Sequence, residues 1–250
     1  IVHTWSTPTT TPANSMYLMD DGSLIYPAKA DTAQNNPISA GGGGERIIRM
    51  AWDGTVVWDF QYYNSTTRLH HDIEILPNGN ILGIAWVLKN NAECLQAGKN
   101  PNQLSGGVLW TERLIEINPN NGFEIVWQWD LWDHMVQAHD ASKDNFGVVA
   151  DHPELLNINW LNNHVADSTG PDGVHLNAID YNADLDQIVM SSQVHSEIWI
   201  VDHSTTTAEA AGHSGGTSGK GGDFLYRYGN PQVYDRGTSA DQKLWRQHDS

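Results

Sequence analysis

Apolar and polar positions alternate in short runs along this chain, and each run is closed by a turn-forming pair. Arg46-Ile47-Ile48-Arg49-Met50, the pair Asp53-Gly54 and Thr55-Val56-Val57-Trp58 predict a strand, a tight turn with glycine where φ is positive, and a second strand. Ile73 to Leu76 and Ile81 to Trp86 form the same pattern around Asn78-Gly79, and Leu114 to Ile117 and Phe123 to Trp127 repeat it around Asn120-Asn121-Gly122. Ala178 to Tyr181, Gln187 to Ser191 and Glu197 to Asp202 predict a three-strand meander.

The hairpins repeat. A strand ending in tryptophan recurs at Val2 to Trp5, Thr55 to Trp58 and Glu124 to Trp127, and each is followed by a hairpin of related form at Asp21 to Ile25, Asn78 to Leu82 and Leu185 to Val189. Successive four-stranded units of roughly 40 to 70 residues are what β-propeller blades give. A β-sandwich also alternates strands and turns, but without a terminal tryptophan in this register. Three full blades and parts of two others fit, so the expectation is an all-β chain: a partial ring of about four propeller blades with long inserted loops at Asn90 to Gly107 and Asp130 to Thr169. Within the second loop, His134 to Gln137 and Pro153 to Leu156 suit short helices. Ala208 to Gly222 is glycine-rich, begins with a helix former, and reads as a mobile or ligand-wrapping loop. The chain opens at Ile1 inside an apparent strand and closes at Ser250 without a tail. Residues 1–250 therefore read as a single truncated domain, with no targeting signal visible.

Charge narrows the function. Thirty acidic residues against 13 Lys and Arg leave a net charge of −17 over 250 residues, which repels nucleic acid and anionic lipid. No apolar run is long enough for a membrane span. The single cysteine, Cys94, excludes a disulfide framework and a cysteine-rich zinc site.

Several motifs fail. Gly215 to Lys220 lacks P-loop spacing, and Gly41 to Gly44 lacks dinucleotide spacing. Asp180 to Asp186 alternates oxygens as a calcium loop does, but has Leu185 and Ser191 where glycine and glutamate belong, so an Asx-rich hairpin turn is expected. His134 and His139 are five apart, on different helix faces, and no metal or cofactor is expected.

Three histidines stand where repeats begin: His70-His71-Asp72, Val174-His175-Leu176 and Gln247-His248-Asp249, each opening an innermost strand. Inner strands of a propeller run along one central channel, so these side chains converge on one site. The alternative is that each caps its own turn.

The runs from His70-His71-Asp72 to Asn78-Gly79-Asn80, from Val174 to Asn182, from Leu185 to Ser192 and Gln247-His248-Asp249 together resemble the bacterial arylsulfotransferases that use no phosphosulfate nucleotide. The resemblance runs in order over nearly the whole chain. It implies a six-bladed propeller, a secreted or periplasmic location, and sulfuryl transfer from a phenolic sulfate donor to a phenolic acceptor. It also implies that His248 is the nucleophile, sulfurylated in a ping-pong cycle, while His71 and His175 hold sulfuryl oxygens and exchange a proton with the phenol. His70, Asn177, Gln193 and His195 are the expected substrate-binding neighbours. Where the family has an arginine after the paired serines, Ser191-Ser192 is followed here by Gln193. Arg246 or His195 is expected to supply the missing positive charge.

Trp86, Trp110, Trp132 and Trp199 could form an aryl-binding wall or pack between blades, and the loop Gly212 to Gly222, with His213 and Lys220, could close over sulfate or be a plain linker. A non-catalytic ligand-binding or scaffold propeller is the main alternative function, with a metal-assisted hydrolase using His70 and His71 behind it. Oligomeric state stays open, a homo-oligomer included.

Overall fold

The computed structural model describes residues 2–7, 10–30, 36–160 and 171–248. Ile1, Asp249, Ser250 and the end of the second long loop lie outside the described residues. The fold is all-β and holds three antiparallel sheets of closely similar plan. The first contains β1 (Thr11–Pro12), β2 (Tyr17–Leu18), β3 (Leu24–Lys29), β4 (Arg46–Met50) and β5 (Val56–Gln61), with β1 and β2 both pairing with β3. The second runs β6 (Thr67–Ile75), β7 (Ile81–Asn90), β8 (Val108–Asn118), β9 (Glu124–Asp130). After the parallel pair β10 (Met135–Val136) and β11 (Leu156–Asn157) comes the third, β12 (Leu176–Asn182), β13 (Gln187–Ser192), β14 (Glu197–Asp202), β15 (Tyr226–Tyr228). The described sheets do not close into a ring.

The hairpin signal at Asp21-Gly22 falls between β2 and β3, and that at Asn78-Gly79 between β6 and β7. Gly22 and Gly79 take φ of 80° and 84° there, and Asp21 and Asn78 accept the backbone N–H two residues on. Trp58 and Trp127 lie in the fourth strands, each just after a bulge. Val57 is the extra residue between the pairs Met50–Val56 and Arg49–Trp58, and Val126 is the extra residue between Ile117–Ile125 and Glu116–Trp127. The tryptophan repeat thus marks one bulge made twice. Val2 to Trp5 departs from it and is not a strand: Trp5 donates its indole N–H to Ala51 O and packs edge-on against Trp52.

Sheet 2 is apolar on both faces because it is a middle layer. Alternate side chains part to opposite sides. Ile81, Ala85, Ile115 and Ile117 join Ile25 and Ile47 of sheet 1, while Leu82, Ile84 and Leu114 join Ile188, Met190, Trp199 and Val201 of sheet 3. Two expected helices, at His134 to Gln137 and Pro153 to Leu156, are instead the two short strands β10 and β11 with their flanking turns. Pairing the Met135 and Leu156 backbones buries both side chains in the main core, which outweighs local helix preference. Helices do occur at α1 (Asn91–Gln96), inside the first long loop, and at α2 (Thr207–Ala210), opening the glycine-rich segment. Among the described residues no helix is long and apolar enough to cross a membrane.

Candidate active site

The inner strands β6 and β12 lie side by side, and a bulge breaks each one. In β6, His71 and Asp72 are the residues left out between the pairs His70–Ile84 and Ile73–Gly83; in β12, Asn177 is skipped between Leu176 and Ala178. The strand opens at Thr67, three residues before the expected opening at His70, so the histidine pair sits in mid-strand. His71 and His175 both adopt left-handed backbone, with φ of 51° and 54°, which is costly for a side chain with a Cβ and swings each imidazole out of the ladder. Asp72 then stitches the strands together, its Oδ2 accepting the Ile179 N–H at 3.1 Å.

These bends gather four predicted residues. The rings of His71 and His175 are 4.6 Å apart, and those of His175 and His248 are 6.2 Å apart. Gln193 donates its amide N–H to His248 Nε2 at 3.4 Å, and His248 Nδ1 lies 3.4 Å from Arg246 O. His71, Asn177 and His248 line a cavity of about 500 Å³, together with Tyr17, Asp72, Glu74 and Asp180. Asn177 does not face ligand with its amide N–H, which donates to Gln247 O at 2.7 Å. Gln247 in turn donates to Ser191 Oγ, Ser192 O and Glu197 O, so His248 is mounted on sheet 3 by its neighbour.

Two predicted residues stand elsewhere. His70 is buried behind His71, stacked on Trp86 with centroids 3.8 Å apart. His195 is buried against Ser192 Oγ and faces a separate small cavity beside Lys99 and Trp160. Arg246 is exposed and does not line the histidine cavity. Of the two side chains expected to replace the family arginine, His195 thus faces a different cavity, and Arg246 is not among the residues that line this one. The tryptophans also pack as core: Trp86, Trp110 and Trp199 are buried, and Trp132 lies under Lys89. Asp180 to Asp186 is an Asx-type turn, where Asn182 Oδ1 accepts the N–H groups of Asp184 and Leu185. The loop Gly212 to Gly222 packs on His134, away from the cluster.

The decisive partners were not singled out from the sequence. His71 Nδ1 lies 2.8 Å from His70 Nδ1, and His70 Nε2 lies 2.8 Å from Glu112 Oε2, forming a buried chain of three titratable groups. Glu112 Oε1 accepts the Leu176 N–H, which ties this chain to His175's neighbour. Asp172 Oδ2 holds His175 Nδ1 at 2.6 Å, with its other oxygen bonded to Trp86 Nε1. The glycine run also has a purpose: a Cβ on Gly42, at φ 86°, would stand 2.2 Å from the His71 ring. Only a bare backbone passes there, and Gly42 O accepts the His71 N–H.

Burial controls protonation here. Desolvation, then the charges of His70, His175 and His248, pushes His71 down to about 2. Desolvation also pushes His70 well below its ordinary value and Glu112 well above its own. His195 is likewise held down at about 3 by desolvation. A histidine that protonates only when unfolded makes the unfolded chain the better proton binder below pH 6.5. Its contribution is complete above that pH and is lost as pH falls toward 3 for His195 and 2 for His71. Glu112 opposes this above pH 4.5, because its raised carboxyl gains a proton on folding. Comparing a variant isolates one group. The loss of unfolding free energy between pH 7 and pH 5, measured in urea, is expected to be about 2 kcal/mol smaller for His195→Asn than for the wild type. Equal losses would contradict the assignment.

The family model described as Arylsulfotransferase (ASST) matches residues 4–213. His71, His175 and Gln193 fall inside that span, and His248 lies beyond it. The chain is similar to a protein of unknown function from Bacteroides caccae, with 10% identity, a TM-score of 0.38, and 76% of this chain and 42% of that one covered. It is also similar to the Kuenenia stuttgartiensis hydrazine synthase, with 10% identity, a TM-score of 0.41, and 85% and 48% covered. The chain thus spans less than half the length of each. No curated protein matches it.

Proposed function

Since the chain belongs to the arylsulfotransferase family, we propose that it contributes the active site for sulfuryl transfer from a phenolic sulfate to a phenolic acceptor, by two displacements through His248. The observation that carries this reading is the convergence of His71, His175, Gln193 and His248 from separate strands and loops. A six-bladed ring and a secreted or periplasmic location go with it. His248 Nε2 attacks sulfur, the bond from sulfur to the aryl oxygen breaks, and the electron pair leaves with the phenolate. His175, oriented by Asp172, and Gln193 hold the sulfuryl oxygens. A phenolic acceptor then attacks the sulfurylated histidine and restores His248.

Both halves need a proton at the phenolic oxygen, in opposite directions. The chain Glu112–His70–His71 supplies both. With Glu112 protonated, its O–H donates to His70 Nε2, His70 Nδ1–H donates to His71 Nδ1, and His71 Nε2–H is an acid facing the leaving phenolate. Once that proton is given, each link shifts by one. Glu112 becomes a carboxylate, and His71 Nε2 becomes the base for the incoming phenol. A raised Glu112 and lowered imidazoles suit this, since the stored proton resides on the carboxyl.

The steady-state test is nitrophenyl sulfate as donor with a phenol as acceptor. Parallel double-reciprocal lines support the two-displacement route, and intersecting lines overturn it. Replacing Gln193 with arginine is expected to raise the rate. Charge-assisted bonds to the sulfuryl group exceed neutral ones by about 1 to 3 kcal/mol, or roughly 5- to 150-fold. An unchanged or lower rate would show that Gln193 does not touch the transferred group.

One observation favours a second reading. Among the described residues the cavity is lined by Asp72, Glu74 and Asp180 and by no lysine or arginine. That lining suits a cationic or hydroxyl-bearing aromatic bound without transfer. Aromatic binding with no nitrophenol release would establish it.

A further inference from the structure

Away from the histidine cluster, His134, His213 and Asp223 bring three ligand-type atoms within 4.8 Å of one another. His134 is fully buried beside β10, its ring parallel to that of Trp129 with centroids 5.8 Å apart. Its Nε2 lies 2.8 Å from the Ala210 carbonyl. A carbonyl only accepts, so Nε2 carries a proton. The lone pair of Nδ1 then points at Asp223 Oδ1, 2.8 Å away. Two electron-rich atoms at that separation need a cation between them, either a proton or a metal ion. His213 Nδ1 approaches the same oxygen at 2.7 Å, and its ring is 60% exposed, so an ion from solvent has a path in.

We propose that His134, His213 and Asp223 form a binding site for a first-row divalent cation, with zinc as its reference ion. Two imidazole nitrogens and one carboxylate oxygen are zinc-type ligands, whereas calcium and magnesium select oxygen. The bond from His134 Nε2–H to Ala210 O is the outer contact by which a metal-bound histidine is held in one tautomer. Ligands on tetrahedral zinc stand roughly 3.3 Å apart, given bonds of about 2.0 to 2.1 Å. Each Nδ1 would move about half an ångström away from Oδ1, and the two histidine nitrogens, within 4.8 Å of each other, would close to about 3.3 Å to admit the ion. The backbone is cut to fit: a Cβ on Gly222 would stand 2.6 Å from His134 Nε2. Gly222 O also accepts the indole N–H of Trp129. The ion would clip the glycine-rich segment and the end of α2 onto the turn that leads into β10. This site is independent of the sulfuryl chemistry proposed above.

Calorimetric titration of the metal-stripped protein with Zn²⁺ alone is the test. His213→Ala removes a mostly exposed side chain and leaves the core intact. It is expected to bind one equivalent of Zn²⁺ fewer than the wild type, with affinity at this site reduced at least about tenfold. Asp223→Asn is expected to do the same, while His152→Ala, at another half-exposed histidine, binds as the wild type does. Excess Mg²⁺ or Ca²⁺ leaves the titration unchanged. Equal stoichiometry and affinity in His213→Ala and the wild type would overturn the proposal, and so would displacement by Ca²⁺.

Discussion

Replacing His248 with alanine is expected to lower sulfuryl transfer at least about 10³-fold while leaving aryl sulfate binding close to the wild-type level. Removing a nucleophile deletes the bond made at sulfur, and the remaining groups offer only positioning and hydrogen bonds. The fold does not depend on this ring, which is exposed and is held by two long contacts of 3.4 Å, to Gln193 and to Arg246 O, and by its edge-on approach to His175. The kinetic signature is a fall in kcat with little change in the equilibrium dissociation constant for nitrophenyl sulfate. A variant that keeps kcat and loses only binding would reduce His248 to a substrate contact.

Glu112→Gln is expected to separate the two half-reactions. A glutamine amide can keep the acceptor bond to Leu176 N, but it then turns its NH₂ to His70 Nε2. His70 Nδ1–H must donate to His71, and His71 Nε2–H is fixed as a donor. His71 Nε2–H persists as a hydrogen-bond donor that cannot give its proton up, because glutamine has none to relay, and the base form cannot arise. The first release therefore proceeds, because nitrophenolate is a weak base that leaves unprotonated with only the hydrogen bond from His71, while transfer to the acceptor, which needs a base, slows by about 10² to 10⁴, the usual range for lost acid–base catalysis. Rapid mixing would show a burst of near wild-type size followed by a depressed steady state. A burst that slows as much as turnover does would mean that Glu112 only supports the backbone.

The parts of this molecule that sequence exposes are those set by local chemistry. Asp21-Gly22 and Asn78-Gly79 dictate their own hairpins, and the valine bulge before Trp58 and Trp127 repeats because sheets 1 and 2 reuse one edge geometry. Val2 to Trp5 carries the same letters, yet it has no neighbouring strand among the described residues to pair with, and its indole bonds to Ala51 instead. Local propensity also misread the β10 and β11 segments, which long-range pairing turned into strands.

The same division holds at the site. The histidines stood out because they open repeats. Their partners did not, because Glu112 belongs to the third strand of its sheet, two strands away from His70, and reaches it only through register. Asp172, three residues before His175, was the one partner whose spacing was readable. Gly42 was hidden in a run that resembled a failed nucleotide motif, whereas its physical role is to clear space for an imidazole. The tryptophans were too large to leave the core: Trp86 and Trp199 are fully buried.

Rapid quenching of the protein with excess nitrophenyl sulfate and no acceptor, followed by peptide mass spectrometry, tests the convergent cluster most directly. One sulfuryl group on His248, absent from His71 and His175 and discharged when a phenol is added, is the predicted result. Nitrophenol release with His248 unmodified, or with the label on a residue outside the cluster, would contradict it.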